Sequence, residues 1–148
     1  MLRVYLDACC LNRPFDDQSQ PRIHLETIAI SLVFERVGLQ EWEWIGSEAL
    51  SYEIRQNPDV ERRERVWLLA QQAHEVVLLN DDILRRAEEL QAAGFDVYDA
   101  VHLASAEAGK VDVFLTTDDR LLKTAKRKGR LLPFRVANPV SWLEEVLK

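Results

Sequence analysis

The apolar positions of this chain change period repeatedly. Leu2-Arg3-Val4-Tyr5-Leu6 is a short β-branched and aromatic run stopped by Asp7, which predicts a central strand. Asn12-Arg13-Pro14-Phe15-Asp16-Asp17 and then Gln20-Pro21 carry turn chemistry and predict a loop. From Arg22 the spacing turns helical, with Leu25, Ile28, Ala29, Leu32 and Val33 recurring until Gly38. Trp42-Glu43-Trp44-Ile45 alternates and is bounded by Gly46, a second strand, after which Ser47 stands where it caps a helix reaching the Asn57-Pro58 break.

The segment Asp59 to Ala73 places Val66, Trp67 and Ala70 on one side and Glu61 four residues before Arg65, an exposed amphipathic helix. Val76-Val77-Leu78-Leu79 predicts a third strand. Asn80-Asp81-Asp82 caps a helix through Ala93 that Gly94 closes, and an alanine-rich helix runs from Val97 to Ala108. Val111 to Leu115 predicts a fourth strand ending at Thr116-Thr117-Asp118-Asp119. A helix over Arg120 to Lys128, a short strand near Phe134-Arg135-Val136 and a last helix opened by Asn138-Pro139 complete the chain. Strands separated by helices imply a mostly parallel sheet covered on both faces, a three-layer α/β/α architecture.

The length of 148 residues fits a single domain over 1–148, with no internal repeat or linker. With 47% apolar residues, 5 Gly and 5 Pro, low-complexity and disordered classes are excluded. No stretch approaches the ~20 apolar residues of a membrane span, and Arg3 and Asp7 interrupt the place of a signal peptide's apolar region. A soluble cytoplasmic protein with no membrane association is expected. Cys9 and Cys10 are adjacent, too close for a metal-ligand framework, and read as buried small hydrophobes at a strand end. The net charge is −6. Arg120, Lys123, Lys126, Arg127, Lys128 and Arg130 nevertheless form a stripe free of acids, a cationic feature on an otherwise acidic body.

In parallel α/β sheets function gathers beyond the carboxyl ends of the strands. Asp7 ends the first strand, Asp118 and Asp119 end the fourth, Glu48 and Glu53 follow the second, and Asp96 and Asp99 open the helix that leads into the fourth. Carboxylates gathered in one crevice repel unless a cation is present, and oxygen donors without Cys or His favour Mg²⁺ or Mn²⁺. Such a site suits phosphodiester hydrolysis. A nucleotide-binding P-loop is absent from the sequence. For Asp119, Asp96, Asp16 and Asp17 a structural or solvated role is the preferred reading, and Glu48 is explained as a first-turn residue complementing the helix dipole. His24 and His74 read as surface residues. His102, three positions after Asp99, reads first as structural and second as a hydrogen-bonding neighbour of the site. Trp42, Trp44, Trp67 and Trp142 fit packing better than base stacking.

Leu6-Asp7 with Leu11-Asn12-Arg13, the stretch Asp99-Ala100-Val101-His102-Leu103-Ala104, and Phe114-Leu115-Thr116-Thr117-Asp118-Asp119-Arg120-Leu121-Leu122 together resemble the PIN-domain family of metal-dependent ribonucleases. That family includes the toxin (VapC-like) components of bacterial VapBC toxin–antitoxin pairs. The resemblance implies strand order 3-2-1-4-5 and a carboxylate set of Asp7, Glu53, Asp99 and Asp118, with Asp7, Asp99 and Asp118 as metal ligands. Glu48 competes with Glu53, but five residues turn a helix by ~140°, so the two cannot serve equally. The resemblance gives supporting roles to Asn12 and to Thr116 or Thr117 in orienting a carboxylate or water, and to Asp119 in assisting or replacing Asp118.

The function expected from this is an endoribonuclease using Mg²⁺ or Mn²⁺, with Arg120, Lys123, Lys126 and Arg127 on the RNA backbone. A small antitoxin and a second copy of the chain are the expected partners. The rival reading is a PIN-fold module that binds RNA or a partner without cleaving. A phosphoacceptor receiver domain is disfavoured, because Ala8-Cys9 and Val136-Ala137 stand where it would carry acidic residues and a lysine.

Overall fold

A computed structural model describes residues 1–147. In chain order it contains β1 (Leu2–Leu6), α1 (Ala8–Asn12), a 3₁₀ turn (Arg13–Phe15), α2 (Pro21–Gly38), β2 (Trp42–Ser47), α3 (Glu48–Arg55), α4 (Val60–Ala70) and β3 (Glu75–Val77). There follow α5 (Asp81–Ala92), α6 (Val97–Ala108), β4 (Val113–Leu115), α7 (Asp119–Lys128), a 3₁₀ turn (Gly129–Leu131), β5 (Arg135–Ala137) and α8 (Pro139–Val146). The five strands form one sheet in the order β3-β2-β1-β4-β5. Every pairing is parallel.

Alternation along β1 divides the core in two. Val4 and Leu6 face a cluster with Ile30, Val33, Trp44 and Trp142, while Tyr5 faces one with Ile45, Leu103, Phe114 and Leu121. Side chains of successive strand residues leave on opposite faces, so one buried strand feeds both layers. The tryptophans pack: the Trp42 and Trp142 ring centroids lie 4.9 Å apart, and Trp44 meets Phe34 edge-on at 5.1 Å.

Several elements differ from the sequence pattern. The segment after Asp7 is helical, where a loop was expected from Asn12 onward: α1 and the 3₁₀ turn continue directly from the strand, with Asp7 accepting the Ala8 N–H as cap. The apolar Ala8, Cys10 and Leu11 explain this, since they are buried and helix lets the chain turn onto the sheet. Cys9 and Cys10 therefore sit in a helix rather than at a strand end, and both are free thiols. β2 runs through Gly46 to Ser47, because Gly46 pairs with Val76 and Ser47 with Val77 of β3. The third strand is Glu75–Val77, and Leu78 stands outside it, 67% exposed. Ser47 does cap α3, accepting from Leu50 N at 3.0 Å.

Candidate active site

The sheet order brings the ends of β1 and β4 together. Asp7 N donates to Leu115 O at 3.0 Å, extending the ladder one step beyond the strands. Asp7 is consequently buried, 6% exposed, and its carboxylate is tightly held. Ala8 N–H donates to Oδ1 at 2.9 Å and the Thr116 hydroxyl to Oδ2 at 2.9 Å. Thr116 Oγ1 also accepts from Asp118 N at 3.1 Å, so one hydroxyl joins the Asp7 carboxylate to the backbone of Asp118. Cys9 Sγ lies against the same pair, 3.3 Å from Thr116 Oγ1, and accepts from Thr117 N.

A second arm reaches Asp7 from the opposite side. Ser47 Oγ is 2.6 Å from Tyr5 Oη, Tyr5 Oη is 2.6 Å from His102 Nδ1, and His102 Nε2 is 3.3 Å from Glu53 Oε1. With a neutral ring the chain is complete: Ser47 donates to Tyr5, Tyr5 to Nδ1, and Nε2–H to Glu53. Asp7, Glu53 and His102 each present a donor atom within 4.8 Å of the others. His102 spends both nitrogens on Tyr5 and Glu53, so the ring orients Glu53 and the oxygens remain for a cation. Glu48, by contrast, accepts from Leu79 N at 2.7 Å and ties α3 to the chain after β3. Glu53 and not Glu48 is the carboxylate that the fold gathers with Asp7.

Asp99 enters from the first turn of α6, one turn before His102. Burial, then the charges of Asp7, Asp118 and Asp96, push its carboxyl up to about 7. Burial also raises Asp7; His102 opposes that and Glu53 adds to it. Burial works against a charge on His102, yet the bond to Glu53 and the charges of Asp7, Glu53 and Asp99 outweigh it and raise its pKa. A pocket that raises the pKa of its buried carboxyls disfavours their charged form, and a bound cation would reverse that. The donors are hard oxygens, so Mg²⁺ or Mn²⁺ fits them.

Asp118 stands beside this pocket, and the other candidates lie outside it. Asp118 caps α7, accepting from Arg120 N and Leu121 N, and its charge is felt at Asp99. Asp119 does not replace Asp118 in the pocket: both its oxygens are engaged by Arg22 at 2.7 Å, on the side of α2. The Asn12 amide donates to Ala8 O within α1, one turn back. Asp96 caps α6 through Tyr98 N, Asp16 pairs with Arg13 and Arg62, and Asp17 closes a turn onto Ser19, all structural. Arg120, Lys123, Lys126 and Arg127 lie exposed along α7, whose Leu121 and Ala125 face the core. Together with Gly94 and Thr124 they line a depression of about 500 Å³.

Sequence reading underrated Tyr5 and His102 and passed over Glu26. Tyr5 was legible only as strand hydrophobe, and His102 carried one signal, its helical spacing from Asp99. Glu26 is 1% exposed and binds Arg13, Arg22 and Asn138.

Fold and pocket together define a parallel α/β protein with an acidic pocket at the carboxyl edge of its sheet. Residues 4–127 match the family model described as PIN domain, and the chain belongs to that family. Its fold is similar to a chain in the crystal structure of VapBC2 from Rickettsia felis bound to a DNA fragment from their promoter, with TM-score 0.55, 11% identity, and 93% and 98% of the two chains covered. It is also similar to a chain of VapBC-1 from nontypeable Haemophilus influenzae, with TM-score 0.58, 13% identity, and 93% and 98% covered. No curated protein matches it in sequence. Among the described residues no helix is long and apolar enough to cross a membrane.

Proposed function

We propose that this chain is an endoribonuclease, a single catalytic domain whose Asp7, Glu53, Asp99 and Asp118 hold Mg²⁺ or Mn²⁺ and act on RNA phosphodiester bonds. The observation that carries this reading is the gathering of acids at one end of the sheet: Asp7 and Glu53 present donor atoms within 4.8 Å of each other, and burial together with the charges of Asp7, Asp118 and Asp96 raises Asp99 to about 7. A divalent cation held by these residues would balance their negative charge and would supply Lewis-acid chemistry toward a phosphate and a water. Asp7 is fixed by Thr116 and Ala8 N–H, and Glu53 by His102, so neither reorganises when substrate arrives. A carboxylate of the set accepts the proton of the water. Arg120, Lys123, Lys126 and Arg127 take the RNA backbone, counteracting the acidic body.

The same reading extends to biology. PIN-domain membership and the likeness to chains of VapBC structures support a toxin neutralised by a small antitoxin and working as a homodimer in the cytoplasm. The exposed apolar residues Leu25, Ile28, Leu32 and Leu147 on α2 and beside α8 support a protein interface.

Cleavage mapping on total RNA tests the activity. Cleavage should require Mn²⁺ or Mg²⁺, stop with EDTA, and fall roughly 10²–10³-fold in Asp7→Asn or Asp99→Asn protein. RNA that is bound but left intact by wild type would instead identify a binding module.

A further inference from the structure

Two adjacent acids leave β4, and their chemistry alone does not distinguish them. We infer that Arg22 decides which one serves the pocket: it clamps Asp119 away from it and fixes the loop so that Asp118 faces it. This rests on Asp118 being a ligand of the proposed metal site.

The clamp differs from a simple surface ion pair because a buried carboxylate stands behind it. Arg22 Nη1 and Nη2 each donate to one oxygen of Asp119 at 2.7 Å, a two-pronged match between guanidinium and carboxylate. Nη2 also donates to Thr117 O at 3.3 Å. The remaining nitrogen, Nε, donates to Glu26 Oε2 at 3.2 Å. Glu26 is itself immobilised, buried and held by Arg13 Nε at 2.8 Å and Asn138 Nδ2 at 2.6 Å. Simple exposed pairs contribute little, because two long side chains must be ordered in water. Here a buried carboxylate has already ordered the arginine, so the guanidinium meets Asp119 as a fixed fork.

The consequence falls on the residue between the two anchors. Thr117 O and Asp119 are both tied to Arg22, and Asp118 N is tied to Thr116 Oγ1, which in turn holds Asp7. Asp118 is thus located from two sides, from β1 through Thr116 and from α2 through Arg22. Neutralising Asp119 also spares the pocket a further negative charge. Arg22 is a positioning residue, and Glu26 positions it.

Calorimetric Mn²⁺ titration of wild type, Arg22→Gln and Asp119→Asn, each with and without Asp118→Asn, tests this alongside hydrogen exchange of the metal-free proteins. Arg22→Gln leaves Glu26 its bonds to Arg13 and Asn138, and Asp119→Asn changes an exposed group, so both variants should fold. Each should weaken Mn²⁺ binding roughly tenfold and speed exchange at the Arg120 and Leu121 amides that Asp118 accepts. In the Asp118→Asn background neither should cause further loss, an outcome that general destabilisation would not give. Unchanged Mn²⁺ affinity, or an equal loss in the Asp118→Asn background, would overturn the inference. Wild-type protein that binds no Mn²⁺ would instead sink the metal reading, and exchange at Arg120 and Leu121 alone would then decide whether Arg22 sets the Asp118 loop.

Discussion

At the scale of single residues, the pocket trades stability for charge density. Asp99 has a folded-state pKa of about 7, above the ordinary 3.8, so the folded protein binds more protons than the unfolded chain between those values. Stability from this group is therefore intact below about pH 4 and declines as pH rises toward 7 in metal-free protein. Asp99→Asn should remove that decline and raise the neutral-pH melting temperature by about 2–4 °C per kcal/mol of repulsion relieved; thermal melts in EDTA at pH 5 and pH 7.5 check it, and an unaltered pH dependence would contradict the assignment. Thr116→Val keeps the shape but frees Asp7 Oδ2 and Asp118 N. It should weaken Mn²⁺ binding roughly tenfold with little loss of fold, measured by calorimetry. The acids themselves were legible in the sequence, because Asp7 and Asp118 each stand at the end of a strand, where they also cap the helix that follows. Their supports were not: Tyr5 reads as an apolar strand residue, and its hydroxyl matters only once Ser47 and His102 are seen to flank it. Nor could spacing choose between Glu48 and Glu53, a choice made by Leu79 and His102 from distant segments.

Among the elements, boundaries set by capping chemistry were the readable ones. Ser47, Asn80, Asp96 and Asn138 all cap the helices they precede. Where burial rather than capping decided, the pattern misled: α1 has no polar periodicity because nearly all of it faces inward, and so it passed for the approach to a loop. α6 is the element on which the site leans, since it carries Asp99 and His102 and closes at Gly109. That glycine lies so close to β2 and β3 that an added Cβ would fall 2.9 Å from Ile45 Cγ2 and 3.0 Å from Val77 Cγ2. Gly109→Ala should therefore push α6 off the sheet and cost about 1–3 kcal/mol in urea unfolding. Tyr5→Phe should cost about 1–3 kcal/mol by leaving His102 Nδ1 without its partner, and should lower Mn²⁺ affinity through Glu53 while circular dichroism stays unchanged.

For the whole molecule, charge is separated: a cationic helix follows directly on the acidic pocket that its own first turn helps to build. RNA binding should be salt-dependent through α7 alone. Replacing Lys123, Lys126 and Arg127 together by Gln should reduce the slope of log affinity against log salt by about 2, read by fluorescence anisotropy on a single-stranded RNA with Asp99→Asn protein to prevent cleavage. The strand order that makes the pocket also sets when it can exist. β1 lies in the middle of the sheet and waits for β4, and the bond joining Asp7 to Thr116 spans 109 positions of sequence. A ribosome that has made only the first hundred residues has therefore produced one half of a blade. Under the proposed function, no RNA can be cut until β4 has been made and Thr116 has reached Asp7.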